Sequence, residues 1–268
     1  MRNELRAFFE GENIEFYTVL SYSDCISVRE DIVSRAGIVP KSVVLMLIPY
    51  YAGKTVNLSV YAAARDYHIY IKQLGERLVS LLDELYPDSN SKAFGDHSPI
   101  DERHAALIGG LGILGDNNLL INEKYGTYVF ISEIITDIEP TELSAKAPLE
   151  IGRCKGCGNC KRACPTGALQ NYEAPCLSAI TQRKGELLET EAELMIKYNT
   201  AWGCDICQSA CPHNKNPQIT SITFFRESRI EELTSELLGS MDEEEFSERA
   251  FAWRGRKTVE RNLKVLKK

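Results

Sequence analysis

Two runs of closely spaced cysteines constrain the fold of this chain more than any other feature. The first run has spacings of three, three and four residues before Pro165 and consists of Cys154, Cys157, Cys160 and Cys164. The second lies further on, ends before Pro212, and consists of Cys176, Cys204, Cys207 and Cys211. The first spacing is that of bacterial ferredoxins with two 4Fe–4S clusters, in which the fourth cysteine ligates the other cluster.

This arrangement predicts two interlocked 4Fe–4S clusters. One is expected to be held by Cys154, Cys157, Cys160 and Cys211, and the second by Cys176, Cys204, Cys207 and Cys164. The alternative is a pair of zinc sites, because paired CxxC units also suit tetrahedral zinc, although zinc does not call for the proline-terminated runs. The ninth cysteine, Cys25, is predicted to be a small buried apolar residue.

The second cysteine set contains a long insertion. Twenty-seven residues separate Cys176 from Cys204, where a plain ferredoxin has two. About 150 residues also precede the first motif. Two adjacent clusters form an electron relay, so we expect the preceding region to hold the electron acceptor.

The remaining sequence is that of a water-soluble, mixed α/β protein. Its longest apolar run, 43–48, is far shorter than the roughly 20 residues of a membrane span. The first 13 residues lack the apolar region of a signal peptide. We therefore expect a cytoplasmic protein, a reducing compartment in which clustered cysteines bind metals in preference to forming disulfides. We also expect a monomer with no membrane partner.

Periodicity and turn residues predict the elements of the first half and three domains. Helices are expected over 3–10, 24–36, 61–86 and 101–109, and strands over 14–20, 42–51, 119–121 and 128–135, the last two joined around Tyr125 and Gly126. Further helices are expected over 231–238 and 243–251. The predicted domains are 1–150 (α/β), 151–217 (the clusters) and 218–268 (helical, with a basic tail).

Charge is concentrated at the C-terminus. Residues 249–268 contain eight basic residues against one acid, whereas the whole chain has a formal net charge of −7. An acidic body with a basic tail indicates a local anionic partner. A solvated final helix explains the same charge equally well.

Several segments, some of which include cysteines of the second run, carry a family resemblance. They are Ala64-Arg65-Asp66-Tyr67-His68, the DHSPIDER segment at 96–103, GLGILGDN at 110–117, YGTYVF at 125–130, CLSAIT at 176–181, GCDICQ at 203–208 and Arg261-Asn262. Together they resemble the epoxyqueuosine reductase family, cobalamin-dependent iron–sulfur enzymes of tRNA queuosine synthesis. The family has Trp and Lys where Ile113 and Asp116 stand here.

The resemblance implies an α/β (α+β) fold with a nitroreductase-like cobalamin-binding domain, followed by a ferredoxin-like double 4Fe–4S domain. It implies Asp96 as proton donor and cofactor contacts from His68, Asp96, Ser178, Cys204 and Asp205. Without it, Asp96 is better explained as the cap of the helix beginning near Asp101, and His68 as structural. The glycines from Gly109 to Gly115 are expected to allow close approach of a large flat cofactor.

The resemblance also implies a reaction and two partners. We expect reduction of epoxyqueuosine to queuosine in tRNA, with electrons from a flavodoxin or ferredoxin. Contacts to the anticodon region are expected from Arg183, Lys184, Arg254, Arg256, Lys257 and Arg261, because phosphate contacts dominate nucleic-acid affinity. Two alternatives remain: a corrinoid iron–sulfur reductase of a small molecule, and a ferredoxin-like electron carrier without a substrate.

Overall fold

The computed structural model describes residues 3–267; Met1, Arg2 and Lys268, the last a basic residue of the tail, lie outside this range. The described residues form two compact units. The first comprises 3–49 and 68–156, and the second comprises 50–67 and 157–267. Segment 50–67 therefore packs with the second half of the chain. The division into three domains at residues 150 and 217 stays a prediction.

The first unit is mixed α/β, as its sequence predicts. Its helices are α1 (Asn3–Gly11), α2 (Glu30–Ala36), α3 (Tyr67–Leu85, in this unit from His68 on) and α4 (Glu102–Ile108). Its strands are β1 (Tyr17–Ser21), β2 (Ser42–Pro49), β3 (Ser91–Phe94), β4 (Ile113–Leu114), β5 (Leu120–Ile121) and β6 (Val129–Thr136). Four of them form an antiparallel sheet in the order β1-β2-β6-β3, and β4 pairs with β5.

Strand β2 is the centre of this unit. All eight of its residues are buried, as its continuous apolar run predicts. It pairs with β1 on one side and with β6 on the other, in a register that sets Ser42 opposite Thr136 and Pro49 opposite Val129. Helix α3 contributes its buried leucines at four-residue intervals, Leu74, Leu78 and Leu82, which confirms its predicted apolar face.

The structure corrects several predicted boundaries. Helix α2 begins at Glu30, after a single 3₁₀ turn over Tyr22–Asp24, and α3 begins at Tyr67, after another over Val60–Ala62. Strands β5 and β6 are joined around Tyr125 and Gly126, as predicted, but they do not pair with each other, because β5 pairs back onto β4. Strand β3 was not predicted, since its four residues are too few to show an alternating pattern.

The second unit consists of short helices and loops. They are α5 (Asn159–Ala163), α6 (Leu177–Gln182), α7 (Glu189–Lys197), α8 (Ile206–Ser209), α9 (Ser235–Ser240), α10 (Glu243–Ser247) and α11 (Arg256–Leu266). One of its cores surrounds Trp202 and Phe251, whose rings lie 6.2 Å apart. Helices α9 and α10 are shorter than predicted. Within residues 3–267, no helix is long and apolar enough to span a membrane.

Candidate functional site

Seven of the eight motif cysteines lie on the short helices and loops of the second unit, and Cys154 lies in the first. Cys160 is in α5, Cys176 directly precedes α6, and Cys207 is in α8. Helices α5 and α8 pack against each other. None of the nine cysteines, all of which lie within residues 3–267, forms a disulfide bond.

The predicted second ligand set gathers around Cys207. Burial raises the pKa of Cys207 to about 11, and Cys176, Cys164 and Cys160 lie near enough to contribute to this increase. Burial likewise raises the pKa of Cys204 to about 12, with Cys176 and Cys207 adding to the effect. Within residues 3–267, no three His, Cys, Asp or Glu side chains are grouped closely enough for a single metal ion. The donors present, thiol sulfurs on short loops, are those that iron–sulfur clusters take.

Backbone hydrogen bonds and backbone conformation shape two of these cysteine loops. Burial acts to raise the pKa of Cys164, but hydrogen bonds from the backbone of Leu169 and Thr166 outweigh it and lower that pKa. Before Cys204, Gly203 has a φ of +71°, and a Cβ there would lie 2.4 Å from the Cβ of Ser59. A glycine is therefore required at this turn by both conformation and space.

Asp205 and Ser178, two predicted cofactor contacts, are engaged within the second unit. The Asp205 carboxylate, in a residue that is half-buried, accepts hydrogen bonds from Ser59 Oγ at 2.5 Å and from the Val60 backbone N–H at 2.6 Å. Ser178 Oγ accepts a hydrogen bond from Gln182 Nε2 at 2.9 Å. Asp205 thus ties segment 50–67 to the second cysteine run. The roles of both residues toward a cofactor stay predictions.

Asp96 occupies a tight, strained turn after β3. Its φ is +58°, and the His97 N–H donates to the Gly95 carbonyl oxygen across it at 2.6 Å. A three-residue turn with a positive central φ is rare for a residue other than glycine. Strained residues of this kind concentrate at functional sites, where the surrounding structure holds them in place.

The alternative role for Asp96, capping the following helix, is wrong. Asp101 is the cap of α4, because its Oδ1 accepts the His104 backbone N–H at 2.9 Å. The Asp96 backbone N–H instead donates to Glu102 Oε2 at 3.2 Å. The Asp96 carboxyl therefore does not serve the helix terminus.

His68 and Asp96, which the family resemblance links, are adjacent. His68 Nε2 lies 3.4 Å from Asp96 Oδ2, and each side chain is about half exposed. Cavities flank the turn: one of about 450 Å³ is lined by Asp96, Glu102 and Arg29. The other, of about 880 Å³, is lined by His68 and His97 together with apolar side chains. Both volumes lie within the range of small-molecule sites.

Two buried carboxyls beside Asp96 were not singled out from the sequence. Glu133, in β6, is fully buried opposite Phe94 of β3. Burial, with a smaller contribution from Asp96, raises the pKa of Glu133 to about 7. Burial, with smaller contributions from Glu133 and Asp96, raises the pKa of Glu102 to about 8. The available signals were a glutamate in a mainly apolar strand for Glu133 and a position in the DHSPIDER segment for Glu102.

The glycine cluster serves packing within the first unit. A Cβ on Gly109 would lie 2.6 Å from Thr18 Cγ2, and one on Gly112 would lie 2.6 Å from the Ile121 carbonyl oxygen. A Cβ on Gly115 would lie 2.5 Å from Asn117 Oδ1. These three positions lie close to neighbouring protein atoms, and the approach of a flat cofactor to the glycine cluster stays a prediction.

Two of the six arginines and lysines expected at tRNA form part of the fold. Arg256 donates to the carbonyl oxygens of Leu238 and Met241, at 2.6 and 3.0 Å. Arg261 donates to the carbonyl oxygens of Arg183 and Gly185. Both guanidinium groups thereby satisfy carbonyls of neighbouring segments, so their alanine variants test folding as well as binding.

The other four lie nearer the solvent. Arg183 pairs with the buried carboxylate of Glu191, whereas Lys184 and Lys257 are exposed. The Arg254 guanidinium stacks 3.7 Å above the Trp253 ring. Trp253 is 58% exposed, which leaves its ring accessible. The lysines and the Trp253–Arg254 pair are the groups suited to contact phosphates and bases.

Comparisons with known proteins agree with these features. Residues 153–214, which include all eight motif cysteines, match the model of the "4Fe-4S double cluster binding domain" family. An epoxyqueuosine reductase of Listeria monocytogenes is 31% identical over 250 residues, which are 85% of this chain and 64% of that relative. The chain thus spans less than two thirds of this relative.

Solved structures show the same fold. An epoxyqueuosine reductase with an epoxyqueuosine-modified tRNA-Tyr stem loop is 21% identical and has a TM-score of 0.76, covering 98% of this chain and 80% of that one. A Bacillus subtilis epoxyqueuosine reductase, with its catalytic aspartate loop swung out of the active site, is 22% identical. It has the same TM-score and the same coverage.

The chain is thus a mixed α/β protein with a double 4Fe–4S cluster domain, which confirms the fold class and the clusters expected from the cysteine spacing. It is a relative of the epoxyqueuosine reductases, and the resemblance expected from its motifs is confirmed. The assignment of individual cysteines to each cluster stays a prediction.

Proposed function

We propose that this protein is an iron–sulfur and cobalamin-dependent reductase that converts epoxyqueuosine in tRNA to queuosine. The observation that carries the proposal is the strained turn presenting Asp96 beside His68, in a chain that contains a double-cluster domain. Relatives named epoxyqueuosine reductase, at 31–34% identity, give the substrate.

Cobalamin is the proposed partner of the clusters in this chemistry. The donor groups beside Asp96 suit a large organic group: an imidazole at His68 and a mainly apolar cavity of about 880 Å³. His68, Asp96, Ser178, Cys204 and Asp205 are the residues proposed to contact it. When bound, it would supply a redox-active cobalt for the reduction of the substrate.

Asp96 is proposed to protonate the departing epoxide oxygen. Its carboxyl is half exposed beside the cavity of about 450 Å³, and Asp101, not Asp96, caps α4. General acid catalysis requires an acid within hydrogen-bond reach of the leaving oxygen. The loop of the Bacillus subtilis relative, described there as a catalytic aspartate loop, supports this role.

The proposed macromolecular partner is tRNA, contacted at its anticodon region. A related structure carries an epoxyqueuosine-modified stem loop. In this chain Lys184 and Lys257 are exposed for phosphates, and Trp253 with Arg254 offers a surface for base stacking. The structural use of Arg256 and Arg261 leaves fewer free cations than the sequence suggests, which favours a small-molecule substrate as the second candidate.

The proposal also includes an electron donor, an oligomeric state and a cellular location. A flavodoxin or ferredoxin would supply single electrons to one cluster, and the protein would act as a cytoplasmic monomer. A pure electron carrier would have no use for a strained aspartate turn beside a ligand-sized cavity. That turn therefore speaks against the electron-carrier alternative.

The experiment compares two substrates with the anaerobically reconstituted protein, with and without cobalamin. Epoxyqueuosine-containing tRNA stem loop and the free nucleoside are each incubated with reductant, and queuosine is measured by mass spectrometry. The proposal predicts cobalamin-dependent conversion, faster on the stem loop. Equal rates on both substrates would favour the small-molecule candidate, and protein that binds no cobalamin and converts neither would contradict the proposal.

A further inference from the structure

The proposed reaction needs two protons, and Asp96 holds one. Removing an epoxide oxygen to leave a carbon–carbon double bond breaks two C–O bonds, consumes two electrons and two protons, and releases one water. The electrons come one at a time from a flavodoxin- or ferredoxin-type donor through the clusters. A second proton must therefore reach Asp96 or the oxygen within each turnover.

Two further carboxyl groups, those of Glu102 and Glu133, lie near Asp96. Glu102 begins α4, accepts the Asp96 backbone N–H at 3.2 Å and lines the same cavity of about 450 Å³. Glu133 stands on β6 with both carboxyl oxygens shielded from solvent. The Ser98 hydroxyl faces Glu133, but not in normal hydrogen-bond geometry, and Ser98 Oγ instead accepts the Ile100 N–H at 3.1 Å.

We infer that Glu102 and Glu133 together store the proton that recharges Asp96, so that they are positioning residues for the proposed reduction. The inference rests on the proposed function. Asp96 gives its proton to the oxygen as the first C–O bond breaks, and Glu102 restores it through water in the shared cavity. Asp96 then protonates the same oxygen again as it leaves as water, and solvent refills the carboxyls.

The surroundings of the pair favour a retained proton. The groups that face Glu102 are Glu133, Asp96 and Asp101, all acidic. Those that face Glu133 are Asp96, Ser98 and the Cys25 thiol. Among residues 3–267 no lysine or arginine pairs with either carboxyl, although Arg29 and Arg103 line the cavity. Because Glu133 is fully buried, Glu102 is half-buried and no cation pairs with either, joint ionisation of the two carboxyls is disfavoured near neutral pH, and the pair retains a proton.

Glutamine variants of Glu102 and Glu133 distinguish a role in storing a proton from a purely structural role. In Glu102→Gln the amide oxygen still accepts the Asp96 N–H, but no acid proton is present. In Glu133→Gln the charge that raises the pKa of Glu102 is removed, so that pKa falls. Glu84→Gln, at an exposed position of α3, is the matched control.

The first measurement is the pH dependence of single-turnover queuosine formation. Wild type and the control are expected to slow as the pH rises through about 7 to 8, where Glu133 and Glu102 lose their protons. Glu102→Gln should be at least about tenfold slower, within or below the range for loss of a general acid. Glu133→Gln should move this alkaline limb to lower pH. A purely structural role would lower the rate equally at every pH and leave the limb in place, which would overturn the inference.

The second measurement does not depend on turnover. Infrared titration of the isolated protein should show the carbonyl band of a protonated, buried carboxyl at neutral pH, weakened in Glu102→Gln and in Glu133→Gln but not in the control. Absence of this band from wild type at neutral pH would overturn the proton store. If the band is present but wild type converts no epoxyqueuosine, the proposed function fails while the stored proton stands.

Discussion

The cysteine-rich segment and the carboxylate site around Asp96 both bury ionisable groups, with opposite consequences. In the first, burial raises the pKa of Cys204, a predicted cluster ligand, to about 12, and iron binding would release its proton. In the second, burial raises the pKa of Glu102 to about 8, and the proton itself is what the site retains. Desolvation thus prepares one region for metal and the other for acid chemistry.

The two regions also differ in how the chain builds them. The cysteines lie on loops and short helices within residues 153–214, so local spacing determines most of their arrangement. The carboxylate site combines a turn after β3, the first residue of α4 and the middle of β6. Substitutions in the cysteine segment should therefore alter the iron content. Substitutions at the carboxylates should alter proton binding and leave the iron content unchanged.

The largest effect is expected from Cys211→Ala. In the predicted interlock, Cys211 ligates the cluster held by cysteines some fifty residues earlier, so one whole cluster should be lost. Iron should fall from about eight to about four per chain, and turnover should stop because the relay is broken. Cys25→Ala is the matched control and should retain about eight iron. Iron near eight in Cys211→Ala would refute the interlock.

The next largest effect is expected from Asp96→Asn. Asparagine tolerates the positive φ of this turn but carries no acid proton, so both clusters should form normally. Turnover should fall about 10²–10⁴-fold, the usual contribution of general acid catalysis. Asp83→Asn, exposed on α3, serves as control. A wild-type rate in Asp96→Asn would remove Asp96 from the mechanism.

A smaller effect is expected on stability in Glu133→Gln. Because the folded-state pKa of Glu133, about 7, lies above its unfolded value, the stability linked to its proton is full at low pH and is lost as the pH rises through about 7. Glu133→Gln has no proton to lose at this position, so this loss of stability with rising pH is absent from the variant. The melting temperature of the variant relative to wild type should therefore be higher at about pH 9 than at about pH 5. A constant difference across this range would contradict the buried, protonated state.

The smallest effect concerns tRNA. Replacing Lys184 and Lys257 with alanine removes two exposed cations, and the slope of log affinity against log salt should fall by about 0.7–0.9 for each phosphate that is no longer neutralised. Iron content and melting temperature should not change. Arg256→Ala, in contrast, should lower the melting temperature because Arg256 hydrogen-bonds Leu238 and Met241. An unchanged slope in the double variant would argue against tRNA at this surface.

The sequence predicted what depends on local spacing or long periodicity. The cysteine motifs, the buried strand β2 and the apolar face of α3 all follow from residues within one segment. The pairing of β5 with β4 and the proton pair Glu102–Glu133 do not, because they join residues that only the folded backbone brings together. The structural roles of two basic residues in the tail were not predicted, for a related reason. Charge alone cannot show that Arg256 and Arg261 donate hydrogen bonds to backbone carbonyl oxygens.

The most direct test of the account is the electron and product balance of one turnover. Protein loaded with both clusters and cobalamin is fully reduced, freed of excess reductant and mixed with epoxyqueuosine-containing tRNA under anaerobic conditions. The account predicts one queuosine formed for every two electrons lost, with Asp96→Asn retaining its electrons over the same time. Unchanged tRNA beside fully loaded, reduced wild-type protein would contradict it.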